Sequence, residues 1–481
     1  MEKKNFWNLF LILLLITDVC ISFFQHIHFS LDGDMCSIIL FSGGYTKVLH
    51  DPFGLTVLTE NSIHAAPNRF FAHWFMSVYF KAVPFFFQLF SDPLSSIYLA
   101  CGFAKIVIQE GLILILAMYI SGKKSFINKD VLLAAVLVTP LFQTTGYNIY
   151  MGIIDTSITY TFFYALPLGL LLIFFWPFYR EYYFGESIKY SISQTVVFLV
   201  LILILSLNGP LIPGIVLIVC SVYLAHKWWI NYIQKNELPF LKRVFISIKA
   251  IPSHTLFYFV LFCLLCLYSL YIGRNNGENF AHAASLLERY SRLPRGLFNL
   301  FTEKLGLPLL LFFILLNAYI IKKTANNTEG QKIIELLKWI GIFAIIYMLL
   351  LPMGGYREYR SNILRRDTFM PIVICMMFIY GLSTFFILKN ADLKYRKAYY
   401  AGVIIFMLIF TIADNPIVDA NECEREALME LAKSNQKITL LENDCDVICW
   451  NRMLNYQHSE SQAALLKYWG VTKEERLYYQ K

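Results

Sequence analysis

Charge is what this chain has least of: only 15% of its 481 residues are Asp, Glu, Lys or Arg, against roughly 25% in an average soluble domain. With 57% hydrophobic residues and a mean hydropathy of +0.55, too little polar surface remains to clothe a soluble globule of this size. Nucleotide motifs are also missing. No Gly-x-Gly-x-x-Gly turn follows a strand and no loop ends in Gly-Lys-Ser/Thr, so soluble nucleotide chemistry is not indicated. No period of 20 to 50 residues repeats, which argues against a solenoid. No basic run is interleaved with stacking aromatics on a soluble element, so the net charge of +8 does not imply a nucleic-acid partner.

What the chain has instead is apolar runs of membrane-spanning length. They predict eleven helices, at about 6–24, 97–120, 131–147, 157–178, 192–208, 211–226, 254–272, 306–321, 338–352, 368–388 and 398–413. The first run is too long for a signal-peptide core and lacks a small-x-small cleavage site, so it reads as an anchor. The stretch from Phe70 to Phe90 holds His73, Lys81 and Pro84 and reads as an interfacial or re-entrant helix. The expected architecture is an all-α polytopic membrane protein. It comprises a transmembrane module over 1–413, with outer loops 26–96, 273–305 and 353–367, and a small extracytoplasmic α/β tail over 414–481. In that tail Glu422–Ala432 predicts a helix, Lys437–Leu441 a strand, and the stretch ending near Trp469 a second helix. Cys423, Cys445 and Cys449 could supply one disulfide there.

Lys and Arg assign the sides. Lys3 and Lys4 place the N-terminus in the cytoplasm, and with eleven crossings the inner segments hold 20 basic residues against 12 outside before the tail. The C-terminus then falls in the periplasm of a bacterial inner membrane. Nine of the twelve outer cations are Arg, the planar fork suited to bidentate phosphate binding. Four of them, Arg357, Arg360, Arg365 and Arg366, fall within ten residues beside Gly354, Gly355 and Tyr356 and predict a phosphate clamp. The bland alternative is that such Arg merely anchor helix ends at the headgroups. Arg289, Arg292 and Arg295 of the third outer loop belong to an amphipathic stretch that reads as structural.

The first outer loop is the most polar element before the tail, with Asp32-Gly33-Asp34, Asp51, Glu60, His64, Asn68 and Arg69. In extended chain, residues two apart point the same way about 6.6 Å apart, so Asp32 and Asp34 could share a divalent cation (Mg or Mn) or flank a substrate hydroxyl. Asp-Gly is equally an ordinary turn signal. Five of nine His crowd this loop and its helix (His26, His28, His50, His64, His73), which raises zinc, but their spacing matches no His-Glu-x-x-His pattern. Within the second span, Lys105 and Glu110 are intramembrane charges that need partners, either each other or Asp18.

An acidic pair directly after an N-in first helix, Asn68-Arg69-Phe70-Phe71 leading into an interfacial helix, and a later outer Arg cluster together resemble the GT-C class of integral-membrane glycosyltransferases. The resemblance implies an essential acidic residue at Asp32 or Asp34, and a polyprenyl-phosphate or polyprenyl-diphosphate sugar as donor. The partners expected from it are that lipid and a glycan or lipid acceptor on the outer face. The candidate substrate-binding residues are Arg69, Glu60, His64, Tyr356, Arg357, Arg360, Arg365 and Arg366. The chemistry is coherent without the family: sugar transfer from a phosphate leaving group needs one carboxylate to take the acceptor proton and cations to hold the departing charge. The rival from another class is a transporter or flippase of a lipid-linked saccharide, although internal repeats and midplane charge, usual in transporters, are weak here.

Overall fold

The computed structural model describes residues 2–142, 151–187, 190–235, 237, 239–281, 284–324, 327–354, 362–390, 396–415 and 417–481. A helix occupies every predicted apolar run: Glu2–His26, Pro93–Ser121, Lys129–Val138, Ile158–Phe184, Ile192–Ser206, Leu211–Ile233, Ser253–Gly273, Gly306–Thr324, Thr328–Leu350, Arg366–Asn390 and Arg396–Ala413. The chain is an all-α polytopic membrane protein. Ten helices among the described residues are long and apolar enough to cross a bilayer; that count includes Phe70–Phe87 and omits the shorter Lys129–Val138 and Ile192–Ser206. Of the run expected at 131–147, residues 143–147 lie outside the described residues.

Local chemistry sets the ends. Asp92 caps Pro93–Ser121 by accepting the Ser95 N–H at 2.9 Å, Pro93 occupies the first turn, and Gly122 closes the helix in the left-handed region. Ser191 and Gln194 form a reciprocal capping box on Ile192–Ser206.

Successive helices alternate in direction, so their ends sort onto two faces. On one, Lys389 pairs with Asp130 at 2.6 Å and Lys332 donates to the Tyr183 carbonyl at 2.9 Å. The other carries the tail: Asn421 Nδ2 donates to the Ile27 carbonyl at 3.0 Å, and Arg425 to Ser95 Oγ at 3.1 Å. The Phe70–Phe87 helix touches this tail face at both ends and in its middle. The Gly209 N–H donates to the Asn68 carbonyl at 2.8 Å, Ser77 Oγ to the Ile39 carbonyl at 3.1 Å, and Gln88 Nε2 to the Trp469 carbonyl at 2.8 Å. It therefore lies along that face.

The tail contains the helices Glu422–Lys433 and Glu460–Tyr468 and the expected strand, Ile438–Leu441. A second strand, Leu477–Gln480, which the sequence did not announce, pairs with it in parallel from Ile438↔Leu477 to Leu441↔Gln480. Parallel pairing requires a long return connection, here filled by residues 442–476. Cys423 and Cys445 form the disulfide, and Cys449 keeps a free thiol. The buried Trp469 indole donates to the Phe80 carbonyl at 3.0 Å and seats the tail on the Phe70–Phe87 helix. In the third loop, Arg289 of the Leu286–Ser291 helix donates to the Gly354 carbonyl at 2.7 Å, and Arg292 pairs with Glu288 at 2.6 Å.

Candidate functional site

The two carboxylates of the first loop have different surroundings. Asp34 opens the short helix Met35–Ile39 with φ −82° and ψ −20°, so the extended geometry that would aim both side chains alike does not form. Asp32 is 3% exposed and docks at the N-terminus of the Ile158–Phe184 helix. Its Oδ2 accepts from Ser157 Oγ at 2.7 Å and from the Thr159 N–H at 2.9 Å; its Oδ1 accepts from Thr159 Oγ1 at 2.7 Å and from the Asp34 N–H at 3.2 Å. A carboxylate at a helix N-terminus is favoured by the dipole and by the free N–H groups there.

Behind Asp32 lies a balanced group of charges. Arg366 pairs with Asp155, and Lys105 donates to the Thr156 carbonyl with Asp155 and Asp32 as its countercharges. Lys105 thus finds its partners in loop and helix-start residues, whereas Glu110 faces the like-charged Asp18. Gln109 bonds the His26 ring at 3.1 Å and Ser22 at 3.1 Å. Two buried anions with two cations form a network that is weak as a stabiliser when whole but costly to break.

Asp34 instead lines a cleft of about 430 Å³ on the tail face. Arg69, Tyr45, Ala65 and Ala66 join it from the same loop; Tyr160, Phe163 and Tyr164 come from the Ile158–Phe184 helix; Asn276 and Glu278 follow the Ser253–Gly273 helix; Trp450 comes from the tail. A π-helical turn over Thr161–Ala165 carries Phe163 and Tyr164, the kind of insertion found at functional sites. The Arg69 guanidinium lies over the Phe163 ring, 4.9 Å from its centroid, and against Gly209, where any Cβ would stand 2.9 Å from Arg69 Nε. Gly209 has φ +93°, a conformation that favours glycine there. Among the described residues no carboxylate pairs with Arg69, while Arg365 pairs with Asp367 at 3.0 Å and Arg366 with Asp155.

The other expected site residues take different places. Glu60 ends a short helix, Leu55–Glu60, exposed and away from the cleft lining. His64 is buried and acts through its backbone: its N–H donates to the Asn275 carbonyl at 3.3 Å and its carbonyl accepts the Gly277 N–H at 3.1 Å. This bridge brings Ala66 and Asn276 together in the cleft, where the Ala66 N–H donates to Asn276 Oδ1 at 3.1 Å. Burial keeps the His64 imidazole below its ordinary pKa. Tyr356, Arg357 and Arg360 lie outside the described residues.

Asp32 spends both oxygens on four donors, and among the described residues no group of three or more His, Cys, Asp and Glu is arranged to hold an ion. The His of the loop have local partners: His28, His50 and His73 each bond the carbonyl four residues before them.

Sequence reasoning missed Tyr160, Asn276, Glu278, Trp450 and, in the tail, Glu424. Glu424 is 1% exposed; its Oε2 accepts from the Leu31 N–H and Tyr98 Oη, and its Oε1 from the Ile448 N–H, each at 2.9 Å. One carboxyl thereby ties the acidic loop, the second spanning helix and the segment before Trp450. Burial pushes its pKa up to about 7. The only advance signal was a Glu within the amphipathic pattern of the first tail helix, which reads as surface.

A second cavity, about 300 Å³ and apolar, runs between the spanning helices and is lined by Leu168, Phe175, Ile215, Phe343, Pro371 and Phe378 among others. Pro371 is five residues below Arg366 on the same helix, about 7.5 Å along its axis.

No protein-family model, curated protein or solved structure matches this chain.

Proposed function

We propose that this protein is a membrane glycosyltransferase of the GT-C kind, moving a sugar from a polyprenyl-phosphate-linked donor to a glycan or lipid acceptor on the outer face of a bacterial inner membrane. The observation that carries the reading is that Asp34 and Arg69, a carboxylate and a guanidinium 35 positions apart, line one cleft walled by five aromatic rings. Aromatic walls with a few convergent polar groups suit a sugar, which presents C–H faces and hydroxyl edges. Asp34 takes the proton of the acceptor hydroxyl as that oxygen bonds the anomeric carbon. The bond from the anomeric carbon to the phosphate oxygen breaks, and its electron pair leaves on the polyprenyl phosphate. Arg69 faces the departing charge as a bidentate donor in an aromatic, water-poor wall. Asp32 holds the loop in place.

The alternative, transport of a lipid-linked saccharide, draws on the carboxyls of Asp18 and Glu110 facing each other inside the spanning region, since intramembrane acids often mark ion pathways. Transport does not call for a carboxylate and a guanidinium lining one open cleft. The deciding experiment presents the purified protein with synthetic short-chain polyprenyl-phosphate sugars in detergent and follows release of free polyprenyl phosphate. Release that disappears in Asp34→Asn supports the transferase; undiminished release by that variant removes Asp34 from the chemistry.

A further inference from the structure

The tail enters the cleft at one residue, Trp450, and its setting is costly. Trp450 is 46% exposed, and its ring lies nearly parallel to that of Tyr160, with a centroid separation of 5.8 Å and an interplanar angle of 19°. Gly33, between the two acidic residues, has its Cα so close to the tail that a Cβ would stand 2.7 Å from both the Trp450 backbone nitrogen and Cδ1. Glycine is therefore needed for loop and tail to meet. Two residues before Trp450, Ile448 adopts φ +47°, a left-handed conformation that a β-branched residue rarely takes. Its N–H is held by the buried Glu424. Strain of this kind persists only where surroundings enforce it, and it gathers where a side chain must be aimed.

We infer that Trp450 and Tyr160 form a carbohydrate-stacking subsite on the acceptor side of the cleft, so that the tail takes part in choosing the acceptor sugar. The inference rests on the transferase reading and deepens it. An indole face left half open offers a flat apolar platform to the C–H face of a pyranose, while Asn276 and Glu278 on the same cleft supply hydrogen-bonding groups for its hydroxyl edge. The platform and Gly33 converge beside Asp34, so a sugar seated there presents its hydroxyl to the carboxylate that would deprotonate it. The indole is a platform contributed from more than 400 residues away, and it positions substrate without moving protons.

The test uses full-length protein in detergent, fluorescently labelled and applied to a printed array of defined mono- to tetrasaccharides, comparing wild type, Trp450→Ala, Trp450→Phe and Glu60→Gln. Wild type is expected to bind a subset of saccharides, Trp450→Ala to bind them about tenfold more weakly, and Trp450→Phe to retain most of the affinity because a flat ring remains. Glu60→Gln, at an exposed position away from the cleft lining, should bind as wild type does. A Trp450→Ala protein whose Cys423–Cys445 disulfide and thermal midpoint are intact yet binds with undiminished affinity overturns the subsite, as does wild type that binds no saccharide on the array. Loss of binding in Trp450→Ala, with no release of polyprenyl phosphate by any variant, would uphold the subsite and reject the transferase. Where transfer is measurable, Trp450→Ala should raise KM for the acceptor and leave kcat within about twofold, whereas misfolding would lower the active fraction and hence kcat.

Discussion

The Asp34 backbone N–H donates to Oδ1 of Asp32 at 3.2 Å, so the carboxylate facing the cleft is held by the one that is buried. On the proposed function, the pair divides into a group placed for chemistry and a group that places it. Asn substitutions should separate these roles. Asp34→Asn is expected to abolish transfer while leaving expression and thermal midpoint nearly unchanged, since Asn also tolerates a turn. Asp32→Asn would set an amide N–H₂ against the Ser157 and Thr159 donors and leave Lys105 and Arg366 with Asp155 alone, so it should cost about 3 kcal/mol of stability. Thermal unfolding in detergent beside a transfer assay distinguishes them; equal stability loss in both variants would end the division.

Arg69 and the two described arginines of the later cluster should respond differently to Lys. Arg69→Lys keeps the charge but loses the flat, two-pronged donor above Phe163, and transfer should fall roughly 30-fold, about 2 kcal/mol, with folding intact. Arg366→Lys disturbs the ion pair with Asp155, so its main effect should be a lower thermal midpoint. A transfer efficiency within twofold of wild type for Arg69→Lys would return Arg69 to a wall residue.

Glu424 should make tail docking depend on pH. Its pKa is about 7 when folded against 4.5 for the free side chain, so between those values the folded state binds more protons than the unfolded one. The stabilisation is complete below pH 4.5 and declines as pH rises, until it is lost above about 7; the separation corresponds to about 3 kcal/mol. Hydrogen exchange of the tail amides, corrected for intrinsic rates, should show protection falling from pH 5.5 to pH 8.5. Glu424→Gln should flatten that dependence, and a wild-type profile already flat would contradict the buried, protonated carboxyl.

Single-Cys labelling in a Cys-depleted background should place positions 322 and 332 on the side opposite to the tail after 417. The faces sort this way in the fold, and the positive-inside rule predicts that the first of them, with its excess of Lys and Arg, is the cytoplasmic one. Labelling of both segments from one side would break the eleven-crossing topology.

Membrane class and the positions of the long apolar helices were legible in the sequence, because they follow from local hydropathy counted along one dimension. The same holds for the first loop as the polar centre and for Arg69 within it. Which aspartate faces the cleft was not legible, because Asp32 is claimed by Ser157, a residue 125 positions away that only the packed helices bring near. Spacing alone suggested that Asp32 and Asp34 act together; a helical turn at Asp34 and four donors around Asp32 part them. Trp450, Tyr160, Asn276 and Glu278 gave no local signal, since an isolated aromatic or polar side chain acquires meaning only from its neighbours in space. The tertiary structure alone decided that the tail reaches the acidic loop, because that contact depends on a glycine lacking a Cβ, on a buried Glu424 and on a strained Ile448, three residues that no single stretch of chain contains.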